Sequence, residues 1–425
     1  MSDWPELRAK SPAAAEPWHN RNRMIGLISF LWLCIWSGLF SDLSNLGSPR
    51  LFSNPVAFIQ GMRSIAPLLA GFIGILLLVG SGRKIALFKN TLGFLLAYCL
   101  IGLLSSLFMS PDIGVALYWG GMYLSPLLVV LFSEGQENAL DCVRRLTIIS
   151  YAVIFILFLF CVPQTLDMVR GRMPFTQFFE MPFGIGQVRV NGVGRYALIV
   201  AIVSFIRLNF ARKKTKVFWI GFVGMALIMM AYTRSRTTLL GLAVASLLFA
   251  YVQKVDWRFF VAGPVAAYVL WVSGYKWRAQ QNVEKLLTLT GREYTWERGL
   301  KMVGQSPLFG WGFHSDRLLL NSEHMHNSYL HAAIHAGILG ALLFAAGIIS
   351  IWVLMFRSGF LRHLKYQGGP DKPFLLESVL LVGYLSSRSL FESTAAFYGV
   401  DLLVFLPAVA YILVWLAKNP DFRKT

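Results

Sequence analysis

Four of the chain's seven histidines crowd together, at His324, His326, His331 and His335. A reachable histidine suits proton transfer near neutrality, because imidazole has an ordinary pKa near 6.5 and supplies a neutral base at working pH. His326 fits that role best, since it stands where a polar loop gives way to an apolar helix beginning near Asn327. Its bland reading is an exposed interfacial histidine. His331 and His335 are four residues apart, on one face of that helix. Such a pair on one helix is a known metal-ligand geometry. No third ligand follows at an obvious spacing, as the zincin glutamate does, so the two are read first as packed, hydrogen-bonded groups, with a metal site as the weaker alternative, and no cofactor is expected. Arginine is the second chemical signal. Its planar fork meets two phosphate oxygens at once.

The elements that must position these groups are membrane helices. The chain has 425 residues, of which 56% are apolar and only 14% charged. That is too few charges for the surface of a soluble fold, where about 25% is usual. The apolar content also excludes intrinsic disorder, and four cysteines exclude a disulfide scaffold or a zinc-ribbon array. Cys34, Cys99 and Cys161 lie in apolar runs and Cys142 in a loop, all four read as small packing residues. The class is all-α: a polytopic integral membrane protein of about 12 transmembrane helices. The runs are 25–40, 66–79, 91–109, 114–132, 146–162, 193–210, 217–232, 237–252, 259–274, 330–356, 374–390 and 397–417. The expected division is a leader over 1–24, one transmembrane domain over 25–417 that includes a large loop over 275–329, and a tail over 418–425. The leader is too long and mixed to begin a cleaved signal peptide.

Lysine and arginine total 39 against 21 acids. With apolar content this high, the excess points to lipid headgroups or a phosphate-bearing substrate and away from nucleic acid. The loops alternate in charge, and the positive-inside rule puts both termini on the cytoplasmic side. The opposite side holds 13 Arg but 3 Lys. That skew is expected if an anion is held on the outer face; the bland reading is arginine snorkelling at helix ends. The 275–329 loop has room for helices of its own. Trp296, Leu300 and Val303 form one apolar stripe, with Arg292, Glu293, Glu297 and Lys301 off it. The helix is expected to end at Ser306-Pro307-Leu308-Phe309-Gly310. Gly310-Trp311-Gly312 has the wrong spacing for a phosphate cradle and reads as a turn.

The run His326-Asn327-Ser328-Tyr329-Leu330, followed by Ala336-Gly337-Ile338-Leu339-Gly340, resembles the signature of the O-antigen ligase and polysaccharide polymerase family. Gly291-Arg292, Trp296 and Pro307-Leu308-Phe309-Gly310-Trp311-Gly312 are similar to the segment that precedes it there. Ser235-Arg236 before an apolar helix, and Arg388 with Phe391-Glu392-Ser393, resemble weaker elements of the same family. The resemblance covers roughly residues 189–392 by motif.

That resemblance implies a multi-span glycosyltransferase of the bacterial inner membrane, with its active site facing the periplasm. It implies transfer of a glycan from a polyprenyl diphosphate carrier, without nucleotide sugar or metal. Arg189, Arg195, Arg236 and Arg292 are then the candidates to hold the diphosphate, and His326 the general base. Glu392 is expected to orient His326 or an arginine. Attack opposite the diphosphate inverts the sugar anomer. The acceptor is a growing polysaccharide in a polymerase and lipid A-core in a ligase. The Gly-Arg, Trp-Glu and Phe-Glu-Ser wording leans towards a polymerase of exopolysaccharide or O-antigen units. A transporter shares the twelve-span layout, but it should show two symmetric halves and polar breaks at mid-membrane; neither is evident here.

Overall fold

The structure, a computed structural model, describes residues 18–40, 55–82, 87–174, 176–182, 186–233, 235–255, 292–320 and 324–420. In chain order its helices are α1 (Trp18–Ser37), α2 (Pro55–Gly80), α3 (Thr91–Phe108), α4 (Ile113–Glu134), α5 (Ala139–Val169), α6 (Val190–Phe210), α7 (Lys213–Thr233) and α8 (Arg236–Gln253). There follow α9 (Arg292–Gln305), α10 (Ser315–Leu319), α11 (Ser328–Arg357), α12 (Phe360–His363), α13 (Asp371–Arg388) and α14 (Val400–Lys418). Between α5 and α6 stands a hairpin of β1 (Phe178–Met181) and β2 (Gly186–Arg189), antiparallel, with Phe178 opposite Arg189.

Among the described residues, nine helices are long and apolar enough to cross a bilayer. The chain is therefore an all-α polytopic membrane protein. Two further expected spans lie on α1, whose apolar part is shorter (Asn22–Ser37), and on α13, which carries four charged side chains. The expected span at 259–274 falls outside the described residues. Cys142 sits within α5 rather than in a loop, because that helix begins at Ala139, well before its apolar run.

Helix α14 is apolar all round and 94% of its span is buried, which makes it the centre of the bundle. It packs on α13, α5, α4 and α3, while α3 also lines α11 and α8 lines α13. Helix α7 buries only 17% of its span and shows Val217, Phe218 and Ile220 outward, as a lipid-facing helix must. One end of α13 carries Glu377, fully buried and held by Arg207, which also lies 4.2 Å over the Phe374 ring. The other end carries Arg388, and there the histidines gather.

The expected loop helix is α9. It ends at Gln305, just before Ser306-Pro307. Its buried face differs from the expected stripe: Gly299, Met302 and Val303 turn inward and Leu300 is 62% exposed. The reason is Gly299, whose missing side chain lets Met325, Leu330 and Ile334 come close. The helix settles on that edge.

Helix α11 is broken at Ala336 and Gly337, where the backbone leaves helical geometry. The break releases the carbonyls of Ile334 and His335. They accept the amides of Trp311 and Gly312 at 2.7 and 2.9 Å. The Ile338 amide in turn reaches the Pro307 carbonyl at 2.8 Å. The Gly310-Trp311-Gly312 segment is thus threaded along the break in α11. Glycine is required on both sides: a Cβ on Gly310 would meet the Gly337 nitrogen at 2.5 Å, and one on Gly337 would strike the Leu308 carbonyl.

Candidate active site

His326 is held by three local devices. Asn327 caps α11, its side-chain oxygen accepting the amides of Tyr329 and Leu330 at 3.0 and 2.9 Å. Asparagine does this well because its short side chain mimics the missing turn. The Asn327 amide group then donates to the Leu390 carbonyl, and the Ser328 amide to the Ser389 carbonyl at 2.9 Å. The Ser328 hydroxyl faces the Glu392 and Thr394 carbonyls, each at 2.8 Å. So the cap of α11 is sewn to the segment that follows α13. On the other side the Trp296 indole donates to the Met325 carbonyl at 2.7 Å. Between these anchors His326 adopts a left-handed backbone, φ 48°. Non-glycine residues hold that conformation at some cost, and it is common at functional sites.

The stitching puts Glu392 against His326. One carboxylate oxygen lies 2.8 Å from His326 Nδ1 and the other accepts from Arg292 Nη2 at 3.0 Å. Arg292 Nη1 donates to the Phe391 carbonyl. Burial alone would raise the Glu392 carboxyl, but the His326 hydrogen bond and the charges of Arg388, His326 and Arg292 outweigh it and hold the group down at about 2. An ionised carboxylate only accepts, so Nδ1 of His326 carries the hydrogen. In the neutral ring Nε2 keeps the lone pair, on a side chain 27% exposed. That is the tautomer and the accessibility a general base needs.

Of the four expected arginines, Arg292 is the one that touches this pair. Arg195 instead donates to Asp401 at 3.2 Å, deep beside α14. Arg388 donates to the other Asp401 oxygen at 3.2 Å and to Thr237 at 3.2 Å, while Thr394 donates to Asp401 at 3.1 Å. Arg189 closes the β-hairpin, with its guanidinium 5.8 Å from the Phe178 ring. Arg236 is exposed at the first turn of α8, whose cap Ser235 accepts the Thr238 amide. Arg317 on α10 was not among the expected residues. It is half-buried, makes no ion pair among the described residues, and its charge bears on His324 and His314. Arg388 was noted in the sequence only as a motif element. Its buried acid partner is what marks it as part of the site's framework.

The other histidines extend from His326 in a row. Ring centres are 4.9 Å apart from His326 to His324, 5.6 Å from His324 to His331 and 4.2 Å from His331 to His335. His324 accepts from the His326 amide at 3.3 Å and faces the Ser393 hydroxyl at 3.1 Å. Burial, and after it the Arg317 charge, push its imidazole down to about 3, so it is neutral. His314, stacked 4.9 Å from Trp119, is likewise lowered by burial to about 4. His331 and His335 are buried, as read from the sequence, but they face an acid the sequence did not point to. Asp316 of α10 is fully buried, with its oxygens 3.4 Å from His331 Nδ1 and 3.6 Å from His335 Nε2. These three residues are the ones in the described region able to hold a metal ion.

Residues 221–345 match the family model described as O-antigen ligase. The match begins in α7 and runs through α8, α9 and α10 into α11, so it takes in Arg236, Arg292 and His326, while Arg189, Arg195 and Glu392 lie outside it. No curated protein matches the chain. The resemblance read from the motifs therefore holds over this stretch, and the nine long apolar helices among the described residues agree with a membrane protein of the O-antigen ligase type.

Proposed function

We propose that the chain transfers a glycan from a polyprenyl diphosphate carrier to an acceptor hydroxyl, with His326 as general base. The observation that carries this reading is the Glu392 carboxylate shared between His326 Nδ1 and Arg292. The acceptor oxygen attacks the anomeric carbon as its proton passes to His326 Nε2. The bond from that carbon to the diphosphate breaks, and the carrier leaves with the electron pair. A single displacement of this kind inverts the sugar. Base assistance is worth roughly 10²–10⁴-fold.

The leaving diphosphate gains negative charge, and fixed positive charge stabilises it. Arg195, Arg292 and Arg388 stand against Asp401 and Glu392, so the framework carries more cations than anions. Arg195 is consumed by Asp401. The candidates for direct phosphate contact are the exposed Arg236, Arg189 at the hairpin and Arg292 beside Glu392, with Arg317 as an addition. On this reading the His326 end faces the periplasm of the bacterial inner membrane and both termini are cytoplasmic, as the lysine-rich loops expect.

Polymerisation of repeat units is the favoured activity. Ligation to lipid A-core is the second reading, and the description of the matching family model favours it. Purified protein given carrier-linked repeat units alone decides between them. Longer chains mean a polymerase; no reaction until lipid A-core is added means a ligase. His326→Ala is expected to abolish product in either assay while the protein remains folded in the membrane. Wild-type turnover by that variant refutes the mechanism.

A further inference from the structure

We propose that Asp316, His331 and His335 form a binding site for a divalent cation of the zinc type, which pins α10 to the first half of α11. This goes beyond the glycosyl-transfer reading and stands on other residues.

The three side chains are 0%, 3% and 1% exposed. Both Asp316 oxygens and His331 Nδ1 are buried without a hydrogen-bond partner. A carboxylate in that position is costly unless a cation meets it. Their separations decide which kind of contact this is. At 3.4 and 3.6 Å neither nitrogen–oxygen pair makes a hydrogen bond. Two ligands on one tetrahedral zinc, each at about 2.0–2.1 Å, stand about 3.3–3.4 Å apart. The three ligand atoms all lie within 4.8 Å of one another. With one oxygen towards each imidazole, the carboxylate can meet a shared ion through either or both. Two imidazoles and a carboxylate are a donor set that zinc accepts.

The hydrogen-bond partners of His335 support the same conclusion. The Tyr98 hydroxyl donates to the Ala396 carbonyl at 2.7 Å, so at 3.3 Å from His335 Nδ1 it accepts. Nδ1 thus carries the hydrogen and Nε2 is a lone pair directed at Asp316. A histidine whose second nitrogen donates to a fixed outer partner is the usual form of a metal ligand. A proton on Nε2 would face the His314 amide, which donates to that nitrogen at 3.2 Å. A bound cation replaces this long amide bond as the partner of the lone pair. The pair at positions 331 and 335 supplies two ligands from adjacent turns of one helix, and α10 brings the third across the chain. The ion is a brace. The ring of His324 separates it from His326, and His326 is not a ligand.

The test uses the full chain, purified in detergent with any affinity tag removed. Metal is stripped with a chelator, the protein is equilibrated with zinc chloride, and bound zinc is counted; cobalt(II) is titrated in parallel. The expected result is about one ion per chain, an intense visible cobalt band of the four-coordinate type, and a melting temperature that rises with zinc. Asp316→Asn and His335→Gln are expected to lose the ion and the band, while His326→Ala keeps both. Wild-type protein that takes up no zinc and shows no cobalt band overturns the proposal even if neither variant folds. So does full zinc binding by folded Asp316→Asn. Loss of transfer by His326→Ala with the metal retained leaves both readings standing. Metal binding without any transferase activity sinks only the earlier one.

Discussion

Glu392→Gln isolates the role of the shared carboxylate. The substitution keeps the shape of the side chain and removes its charge. The carboxylate now accepts two hydrogens, one from Arg292 Nη2 and one from His326 Nδ1. A glutamine amide has one oxygen and one NH₂ group. If the oxygen turns to Arg292, the NH₂ faces Nδ1, which must then give up its hydrogen. Nε2 becomes protonated and cannot accept a proton from the acceptor sugar. If the oxygen turns to His326, the NH₂ faces a guanidinium and Arg292 is displaced. Charge is lost either way. A carboxylate about 4 Å from a developing imidazolium is worth about 4 kcal/mol at an effective dielectric of 20. The imidazole is 27% exposed and Arg292 already draws on the same carboxylate, so about 2–3 kcal/mol is the usable part. At 1.36 kcal/mol per decade that is a fall of roughly 30–150-fold in kcat.

The assay is elongation or transfer from carrier-linked repeat units by purified variants, with the substrate concentration varied. Glu392→Gln is expected to lower kcat by that factor with KM changed far less, because the interaction grows only as the imidazole takes the proton. Glu392→Asp, which keeps the charge but withdraws it by one methylene, should fall between wild type and Glu392→Gln. A Glu392→Gln enzyme within about twofold of wild type in kcat would refute the base assignment. A pure KM effect would move Glu392 from catalysis to substrate binding.

The remaining expectations rest on the same geometry. Arg292→Lys keeps a charge but cannot hold Glu392 and the Phe391 carbonyl together; activity should fall at least about tenfold, and unimpaired turnover would reduce Arg292 to a point charge. Glu392 has a folded pKa of about 2, below its ordinary value near 4.5, so its stabilisation is complete above about pH 4.5 and is lost as pH falls towards 2. The gap in melting temperature between wild type and Glu392→Gln should persist from pH 8 to 5 and narrow below that; a gap that closes between pH 8 and 6 contradicts the assignment. Gly337→Ala forces a side chain into φ 69°, ψ −174° and against the Leu308 carbonyl; a loss of at least about 1–3 kcal/mol is expected from the backbone alone, and thermal melts indistinguishable from wild type would show that the threaded loop can yield.

The sequence carried the helices and His326 because both signals are local. Long apolar runs place spans whatever surrounds them, and an asparagine at the edge of such a run caps a helix using only its next few residues. The partners of His326 are not local. Glu392 lies 66 residues further on, and it arrives only because the cap of α11 is sewn to the end of α13. Asp316 was missed for the same reason: it shares no spacing with His331 and His335, and α10 folds onto them across a break that needs Gly337.

The arginines teach a different lesson, about order. An arginine on the outer side of the membrane is not thereby available to an anion. An acid buried in a membrane bundle is far more demanding than an exposed arginine, because an unpaired charge there is expensive. Asp401 stands in the apolar run of α14 and Glu377 in that of α13. Each had to be given a cation before any arginine could be assigned to a substrate. Asp401 claims Arg195 across 206 residues as well as Arg388, and Glu377 claims Arg207. Arg189 and Arg236 are exposed, whereas Arg292, itself paired with Glu392, is nearly as buried as Arg195. On the proposed reaction the diphosphate should be sought at Arg292, beside the His326–Glu392 pair, and at the exposed Arg236 that opens α8, and not at Arg195. Arg195→Ala should accordingly act through stability, leaving Asp401 half-paired in the core, at a cost of about 3–5 kcal/mol, before it acts on substrate affinity.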